Sequence, residues 1–155
     1  MDIQAWAVVV ARLLRPGGKL YVFEGHPLDW VWDTAASTYQ LSAQTGNYFS
    51  EAAVTDRGWP MSSAPIQNHA HQDQLHVHER QWPLGTIMNS LVAAGLSLER
   101  FEEHPDLFWD QFPQLPAELR GRLPHTFSLL MRKGHNKIAN EPVSIFSYKA
   151  QASPR

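Results

Sequence analysis

The densest concentration of metal-ligand side chains in the 155-residue sequence is a histidine-rich segment near its centre. Two His-x-His pairs contribute four imidazoles, those of His69, His71, His76 and His78. In an extended strand alternate residues share one face, so each pair can present two ring nitrogens to one ion. Zinc and other divalent ions bind such nitrogens readily, which predicts a divalent metal site. The alternative is a solvated segment that binds metal only adventitiously, for example nickel from a purification resin.

A second candidate site follows the apolar run Leu20–Phe23, where Glu24-Gly25-His26-Pro27 closes a predicted strand. Ligands of open α/β sheets bind beyond the carboxyl ends of the strands. His26 is therefore a candidate catalytic base toward a hydroxyl or amine acceptor, because an imidazole titrates near neutral pH. The alternative is a turn held by hydrogen bonds of Glu24 and His26.

Aromatic side chains accumulate around these segments. Trp30, Trp32, Tyr48 and Trp82 are candidates for the walls of a pocket that binds a small acceptor molecule. Aromatic residues of long loops also commonly anchor those loops to the core, and this is the alternative here. The cluster Glu102-Glu103-His104 is typical of a strand that ends at the surface.

Composition narrows the classes of function. The absence of cysteine excludes disulfides, thiolate catalysis and cysteine zinc sites. A formal charge of −2 offers no basic surface for nucleic acid or an anionic membrane. No apolar run approaches the roughly 20 residues of a membrane helix, and Asp2, Gln4 and Arg12 interrupt the N-terminal apolar run, unlike a signal peptide. We therefore expect a cytoplasmic protein with no membrane partner.

The elements that must position the candidate residues alternate between helix and strand. Residues 3–14 have apolar side chains at helical spacing, Pro16-Gly17-Gly18 ends that helix, and Leu20–Phe23 predicts a buried strand. Residues 25–75 show neither helical nor strand periodicity in their apolar side chains, which indicates a lid-like excursion rich in aromatic residues.

The second half of the sequence is more regular. Its patterns predict a strand, a helix that starts at Pro83, two further strands and an added strand, at residues 74–82, 83–95, 96–102, 126–133 and 143–148. Residues 105–124 predict a loop rich in proline and aromatic residues. The added strand would lie in a C-terminal extension, residues 134–155.

Five segments, in this order, resemble class I S-adenosylmethionine-dependent methyltransferases. The Arg-Pro-Gly-Gly turn and its strand resemble the family's fifth strand, and a Tyr-Phe element resembles one found in a bacterial subgroup that acts on small molecules. A Trp-Pro-Leu-Gly helix and two later strands resemble the family's last helix and its sixth and seventh strands. The matching segments are residues 15–24, 46–49, 82–96, 101–105 and 123–133.

The resemblance covers residues 3–133 and implies one α/β domain over residues 1–133. Its fold would be a partial Rossmann-like methyltransferase sheet with flanking helices and a long aromatic-rich loop. The strands would have the order 5-7-6, with mixed parallel and antiparallel directions. By matched position Glu24, His26, Tyr48 and Trp82 would lie on the acceptor side, with Trp30 as a further substrate-binding residue. The implied cofactor is S-adenosylmethionine.

The family's donor site has no counterpart in the sequence, because no Gly-rich loop follows an apolar strand, and no residue is predicted to bind the cofactor. We therefore expect the C-terminal, acceptor-side half of a small-molecule methyltransferase, unable to bind the donor alone. The strand at Leu20–Phe23 would lie at the edge of the sheet with no neighbour on its outer side, which predicts a homodimer through that edge. Two other functions are alternatives to a methyltransferase, so whether the chain is an enzyme stays open. One is a non-catalytic dimeric module that binds a small molecule or a partner, and the other is a metal-binding protein that uses residues 69–78.

Overall fold

Two helices, a short 3-10 helix and five strands form along the described part of the chain. The computed structural model describes residues 2–50, 52–56 and 77–135, without the side chains of residues 54–56, 77 and 78. The elements in chain order are α1 (Ile3–Leu13), β1 (Lys19–Gly25), the 3-10 helix (Pro27–Val31), β2 (Val54–Asp56), β3 (Val77–Glu79), α2 (Leu84–Ala93), β4 (Leu96–His104) and β5 (Thr126–Lys133).

Helix α1 begins at a side-chain cap and buries one face. The carboxylate of Asp2 accepts a hydrogen bond from the Gln4 N–H at 2.9 Å, which satisfies one of the unpaired amides of the first turn. A negative charge at this end also suits the helix dipole. The buried residues recur at every fourth position, as the amphipathic pattern predicted: Ile3, Ala7 and Ala11.

The turn between α1 and β1 is fastened to the end of β5. Backbone hydrogen bonds join Gly17 N–H to the Lys133 carbonyl at 2.9 Å and Lys133 N–H to the Gly18 carbonyl at 2.8 Å. Gly17 has a φ of +72°, a conformation that glycine adopts without strain. The Lys133 ammonium donates to the carbonyls of Ala11 and Leu14, so a cation closes the C-terminal end of the helix.

The last strand, β5, lies at the centre of a three-stranded sheet. Both β1 and β4 pair with it antiparallel, in the order β1-β5-β4. Val22 lies opposite Leu129, so the predicted neighbouring of these two strands is confirmed. Strands β1 and β4 run in the same direction but are not hydrogen-bonded to each other, and none of the described strands forms a parallel pair. The numbering of these strands as five, seven and six of a larger sheet stays a prediction.

The hydrophobic core joins β5 to both helices. Alternate residues of β5 share one face of the sheet and are almost completely buried: Phe127, Leu129 and Met131. They form one cluster with side chains of α1, α2 and the start of β4: Ala7, Ala11, Leu84, Leu91 and Leu96. Burial of this apolar surface is the main force that holds the helices on the sheet.

The strands predicted at residues 96–102 and 126–133 and the helix predicted from Pro83 are confirmed, with β4 two residues longer than predicted. The strand predicted over 74–82 is shorter in the described residues, where β3 covers only Val77–Glu79. Its partner β2 was not predicted, because a three-residue strand carries no periodic signal. The predicted strand 143–148 and much of the excursion, residues 57–76, lie outside the described residues.

The two helices are short, with 11 and 10 residues. No helix in the described ranges has the length and apolar character needed to cross a membrane.

Candidate functional site

The segment after β1 turns sharply at His26. The ring Nδ1 of His26 accepts a hydrogen bond from the Leu28 N–H at 3.0 Å, and Pro27 occupies the first position of the 3-10 helix. The backbone N–H of His26 donates to the His125 carbonyl at 2.8 Å, which ties the turn to the start of β5. His26 is therefore the cap that starts the 3-10 helix.

The other ring nitrogen of His26 links the turn to β4. Because Nδ1 accepts an N–H, the ring proton sits on Nε2, which donates to Glu103 Oε1 at 2.9 Å. The side chain is buried, and this burial lowers its pKa, although Glu103 acts in the opposite direction. The geometry is that of a hydrogen-bonded turn whose partner is Glu103 rather than Glu24. Both nitrogens are engaged, and a role as catalytic base stays a prediction.

A cavity of about 220 Å³ lies beyond the end of β1; we call it the β1-end cavity. Three of the residues predicted to bind a substrate, Glu24, Trp30 and Trp82, line it together. Val22 and Phe127 from the sheet contribute apolar lining. A cavity with aromatic walls and few polar groups at this end of a strand has the character of a small-molecule site.

The outer wall of the β1-end cavity is held in place by contacts of residues 80–82. The Arg80 guanidinium lies 4.1 Å from the centre of the Trp82 ring, a cation–π contact. The Gln81 side-chain amide donates to the Pro27 carbonyl and so joins this wall to the 3-10 helix. Glu24 is exposed and makes no hydrogen bond or ion pair with the described residues, so its carboxylate is open to a ligand.

Tyr48 does not line the β1-end cavity. Its hydroxyl accepts a hydrogen bond from the Leu84 N–H at 3.1 Å, at the start of α2. The residue before that helix is Pro83, which provides no side-chain cap. The Tyr48 hydroxyl therefore accepts the hydrogen bond that a side-chain cap would accept, and it attaches the loop around Tyr48 to α2.

A second, more polar cavity of about 280 Å³ adjoins the 3-10 helix; we call it the Asp29 cavity. Asp29, Asp33 and the indoles of Trp30 and Trp32 line it, and Trp30 also lines the β1-end cavity. The remaining lining side chains are uncharged and polar: Thr34, Ser42, Gln44, Thr45 and Gln111. No lysine, arginine or histidine of the described chain lines this cavity.

Asp29 belongs to a buried hydrogen-bonded chain of three side chains. Its Oδ1 lies 2.7 Å from His125 Nδ1, and His125 Nε2 lies 3.1 Å from the Tyr39 hydroxyl. The Tyr39 hydroxyl can also donate to the Leu119 carbonyl at 3.2 Å. Burial raises the pKa of Asp29 to about 6, although His125 favours its charged form.

This chain can hold an additional proton without losing its connections. With a neutral His125, Nδ1–H donates to Asp29 and the Tyr39 hydroxyl donates to Nε2. With a charged ring, Nε2–H donates to the Tyr39 oxygen, whose proton turns to the Leu119 carbonyl. Uptake of one proton together with a rotation of the Tyr39 hydroxyl therefore converts the first arrangement into the second.

The sequence analysis missed this chain of side chains. Asp29 and His125 are 96 residues apart in the sequence, and neither belongs to a spacing pattern that indicates chemistry. The fold brings them together because His125 immediately precedes β5, whose partner β1 leads into the 3-10 helix that carries Asp29.

The predicted metal site falls largely beyond the described residues. His69, His71 and His76 lie outside them, and His78 belongs to β3 with an undescribed side chain. Among the described residues, no three histidine or acidic side chains are placed to hold a metal ion.

No protein-family model and no curated protein matches the sequence. Among solved structures, the chain is similar to an S-adenosylmethionine-dependent methyltransferase from Mesorhizobium loti, with 20% identity, a TM-score of 0.49, and coverage of 85% of this chain and 56% of that one. It is also similar to a candidate S-adenosylmethionine-dependent methyltransferase from Listeria monocytogenes, with 16% identity, a TM-score of 0.53, and coverage of 85% and 55%.

The chain thus spans about half the length of the solved structures that it matches. At 16% identity and a TM-score of 0.53, the second match shows a likeness of the fold alone. The resemblance predicted from the sequence is confirmed at the level of the fold: over 85% of its length, the chain shares the fold of 55% of the Listeria monocytogenes protein.

Proposed function

We propose that the chain is the acceptor-side portion of an S-adenosylmethionine-dependent methyltransferase that acts on a small molecule. The β1-end cavity is the observation that carries this proposal. Glu24, Trp30 and Trp82 line one cavity beyond the carboxyl end of β1, and this is the place where α/β folds bind their ligands.

Each of these side chains has a task in positioning an acceptor. Trp30 and Trp82 provide apolar walls that exclude water from a bound ligand. The open carboxylate of Glu24 can accept hydrogen bonds from a hydroxyl or an ammonium group. His26 and Glu103 hold the 3-10 helix that carries Trp30. Orientation of the reacting group is a large share of what an enzyme supplies to a displacement reaction.

The described residues do not fit a donor site. The glycine pair Gly17-Gly18 precedes β1 and is tied to β5, whereas a phosphate- or nucleoside-binding loop follows its strand. We therefore propose that residues 1–155 do not bind S-adenosylmethionine by themselves and that the donor site lies outside them. The runner-up function is a non-catalytic dimeric module that binds a small molecule in the same cavity.

Calorimetric titration separates the acceptor and donor parts of the proposal. S-adenosylhomocysteine, added to millimolar concentration, is expected to give no binding heat. Saturable binding of this compound to the chain alone would contradict the donor part. Such binding would leave the acceptor cavity to be tested separately.

Indole, a planar neutral probe, tests the β1-end cavity. We expect Trp82→Ala to weaken indole binding about tenfold, because an aromatic wall is lost. Trp109→Ala is the matched control, since Trp109 is partly exposed and lines neither cavity. Equal losses in the two variants, or no indole binding to the unmodified chain, would exclude the cavity as the acceptor site.

We also propose that the chain forms a homodimer through the outer edge of β1. Within the described ranges no strand pairs with that edge. Tyr21 and Phe23 on one face of the strand are 64% and 45% exposed. A two-fold axis through Val22 would set Tyr21 of one copy opposite Phe23 of the other, an aromatic cross-strand pair at both ends.

The metal-binding hypothesis rests on the sequence of residues 69–78 alone. Metal analysis of protein purified without a nickel resin tests it. A stoichiometric divalent ion is the expected result if the histidines form a site, and a metal-free protein would remove the hypothesis.

A further inference from the structure

The Asp29 cavity is not used by the proposed acceptor site and has a different chemical character. At about 280 Å³ it is large enough for a small molecule. Its two charged lining residues, Asp29 and Asp33, are both acidic. A cavity in which negative charge is not matched by a lysine or arginine favours a cationic ligand.

Only one oxygen of the Asp29 carboxylate has a hydrogen-bond partner among the described residues. Oδ1 binds His125, whereas Oδ2 has no hydrogen-bond partner among the residues that the structure describes. Asp29 is only 5% exposed and still lines the cavity. Because Asp29 lines the cavity, this free oxygen can accept a charge-assisted hydrogen bond from a bound cation.

The two indoles that line the Asp29 cavity support the same ligand class. Trp30 and Trp32 lie on its walls, and tryptophan is the aromatic side chain that attracts organic cations most strongly. Hydroxyl and amide side chains such as Ser42 and Gln111 complete the lining. They can bind a hydroxyl group carried by the same ligand.

We propose that the Asp29 cavity binds a small organic ammonium ion that also carries a hydroxyl group. Asp29 and Asp33 provide the opposite charge, the indoles of Trp30 and Trp32 face the alkylated nitrogen, and the polar rim binds the hydroxyl. This proposal does not depend on methyl transfer, and it concerns a different cavity from the indole experiment above.

Choline and its neutral carbon isostere, 3,3-dimethyl-1-butanol, are the two probes that test it. Both have the same shape and hydroxyl group, so they differ only in charge. Titrations are made on the full chain at low salt and about pH 7.5, where Asp29 is charged because its pKa is about 6. We expect saturable choline binding and about tenfold weaker binding of the isostere.

Asp33→Asn locates the binding. Its side-chain oxygen can still accept the Ala35 N–H that Asp33 accepts at 2.9 Å, so the local turn is kept while the charge is lost. We expect choline affinity to fall about threefold. Asp106→Asn is the matched control, because Asp106 is exposed, lies outside the cavity and loses the same charge.

Three results would overturn the proposal. The first is the absence of saturable choline binding to the unmodified chain. The second is equal affinity for choline and the isostere, which would show that the charge is not recognised. The third is an equal loss in Asp33→Asn and Asp106→Asn, which would assign the effect to general surface charge. The comparison of the two probes on the unmodified chain stands even if Asp33→Asn does not fold.

Discussion

The two outer strands of the sheet, β1 and β4, present very different edges. Strand β4 carries charged side chains along most of its length, at Glu99, Arg100, Glu102 and Glu103, and its register shifts between Leu98 and Arg100. Strand β1 has no such irregularity, and its central residues, Leu20 to Phe23, are apolar or aromatic.

Charges and bulges are the devices by which proteins prevent unwanted strand pairing. Strand β4 has both, so its edge is compatible with solvent. Strand β1 has no bulge, and its two charged residues, Lys19 and Glu24, lie near its ends. Its exposed Tyr21 and Phe23 extend into an aromatic patch with Phe108, whose ring centre lies 5.1 Å from that of Phe23. The difference indicates that only the β1 edge is suited to a partner strand.

The largest loss of stability is expected from a core substitution in β5, the strand that pairs with both β1 and β4. Leu129 of β5 is 1% exposed and lies opposite both Val22 and Phe101. Leu129→Ala should lower the free energy of unfolding by about 3 kcal/mol, because it leaves a cavity in the core. Chemical denaturation measures this loss, and a change below about 1 kcal/mol would show that β5 does not anchor the two outer strands.

A charge on the aromatic face of the β1 edge should weaken the proposed dimer. Tyr21→Lys places a charge in the middle of the strand, and at an exposed position it should leave the fold intact. We expect the dissociation constant of the dimer, measured by light scattering after size exclusion, to rise at least about tenfold. Leu98→Lys on β4 is the matched control, since Leu98 is similarly exposed and should change nothing.

A monomeric unmodified chain over the whole accessible concentration range would contradict the dimer directly. The comparison between the two edges would then describe only their chemical character.

Removing the charges of the β4 edge should create a second association surface. Arg100 and Glu102 form an ion pair at 2.6 Å, and both side chains are largely exposed. Replacement of both by valine is expected to convert a finite assembly into concentration-dependent higher oligomers, because the chain then offers two unprotected edges. Sedimentation velocity detects this change, and an unchanged distribution of species would show that the bulge and the remaining charges, Glu99 and Glu103, are enough to protect β4.

The smallest effect is expected at Glu99, which connects the two outer strands across β5. Its carboxylate contacts Lys19 of β1 and Arg132 of β5, and these partners lower its pKa. A carboxyl group whose pKa is lowered by folding stabilises the native state above its ordinary pKa, and this contribution disappears as the pH falls through the lowered value. Glu99→Gln should therefore cause a small loss of stability at neutral pH that vanishes in acid and in high salt.

Thermal unfolding at several pH values measures the Glu99 effect. Arg100→Gln is a suitable comparison, since Arg100 pairs only with its neighbour on β4 among the described residues. A loss in Glu99→Gln that is independent of both pH and salt would mean that the contact is not electrostatic.

Local patterns predicted the elements that have a strong period. The final strand, residues 126–133, and the helix that begins after Pro83 agree with the structure because β-prone runs and a proline start are local signals. Of the residues predicted for an acceptor pocket, Glu24, Trp30 and Trp82 line one cavity and Trp32 and Tyr48 do not, and their role in binding stays a prediction.

The features that sequence analysis could not find depend on distant partners. Asp29 and His125 acquire their relation only when β5 pairs with β1. His26 was predicted as a base, but its ring is engaged by Glu103, 77 residues away. Strand β2 is too short for a pattern, so its pairing with β3 is visible only in the folded chain. In each case the interaction is set by tertiary packing rather than by neighbouring residues.

The attachment of Lys133 to the turn after α1 has a consequence for synthesis of the chain. In the described sheet β1 is held only by β5, and Lys19 pairs with Arg132, more than a hundred residues later. During translation the apolar stretch Leu20–Phe23 therefore emerges early, and its native cover becomes available only after β5 has left the ribosome. Such delayed closure slows folding and favours aggregation of nascent chains. The yield of soluble protein should consequently depend on chaperones that shield β1 in this interval.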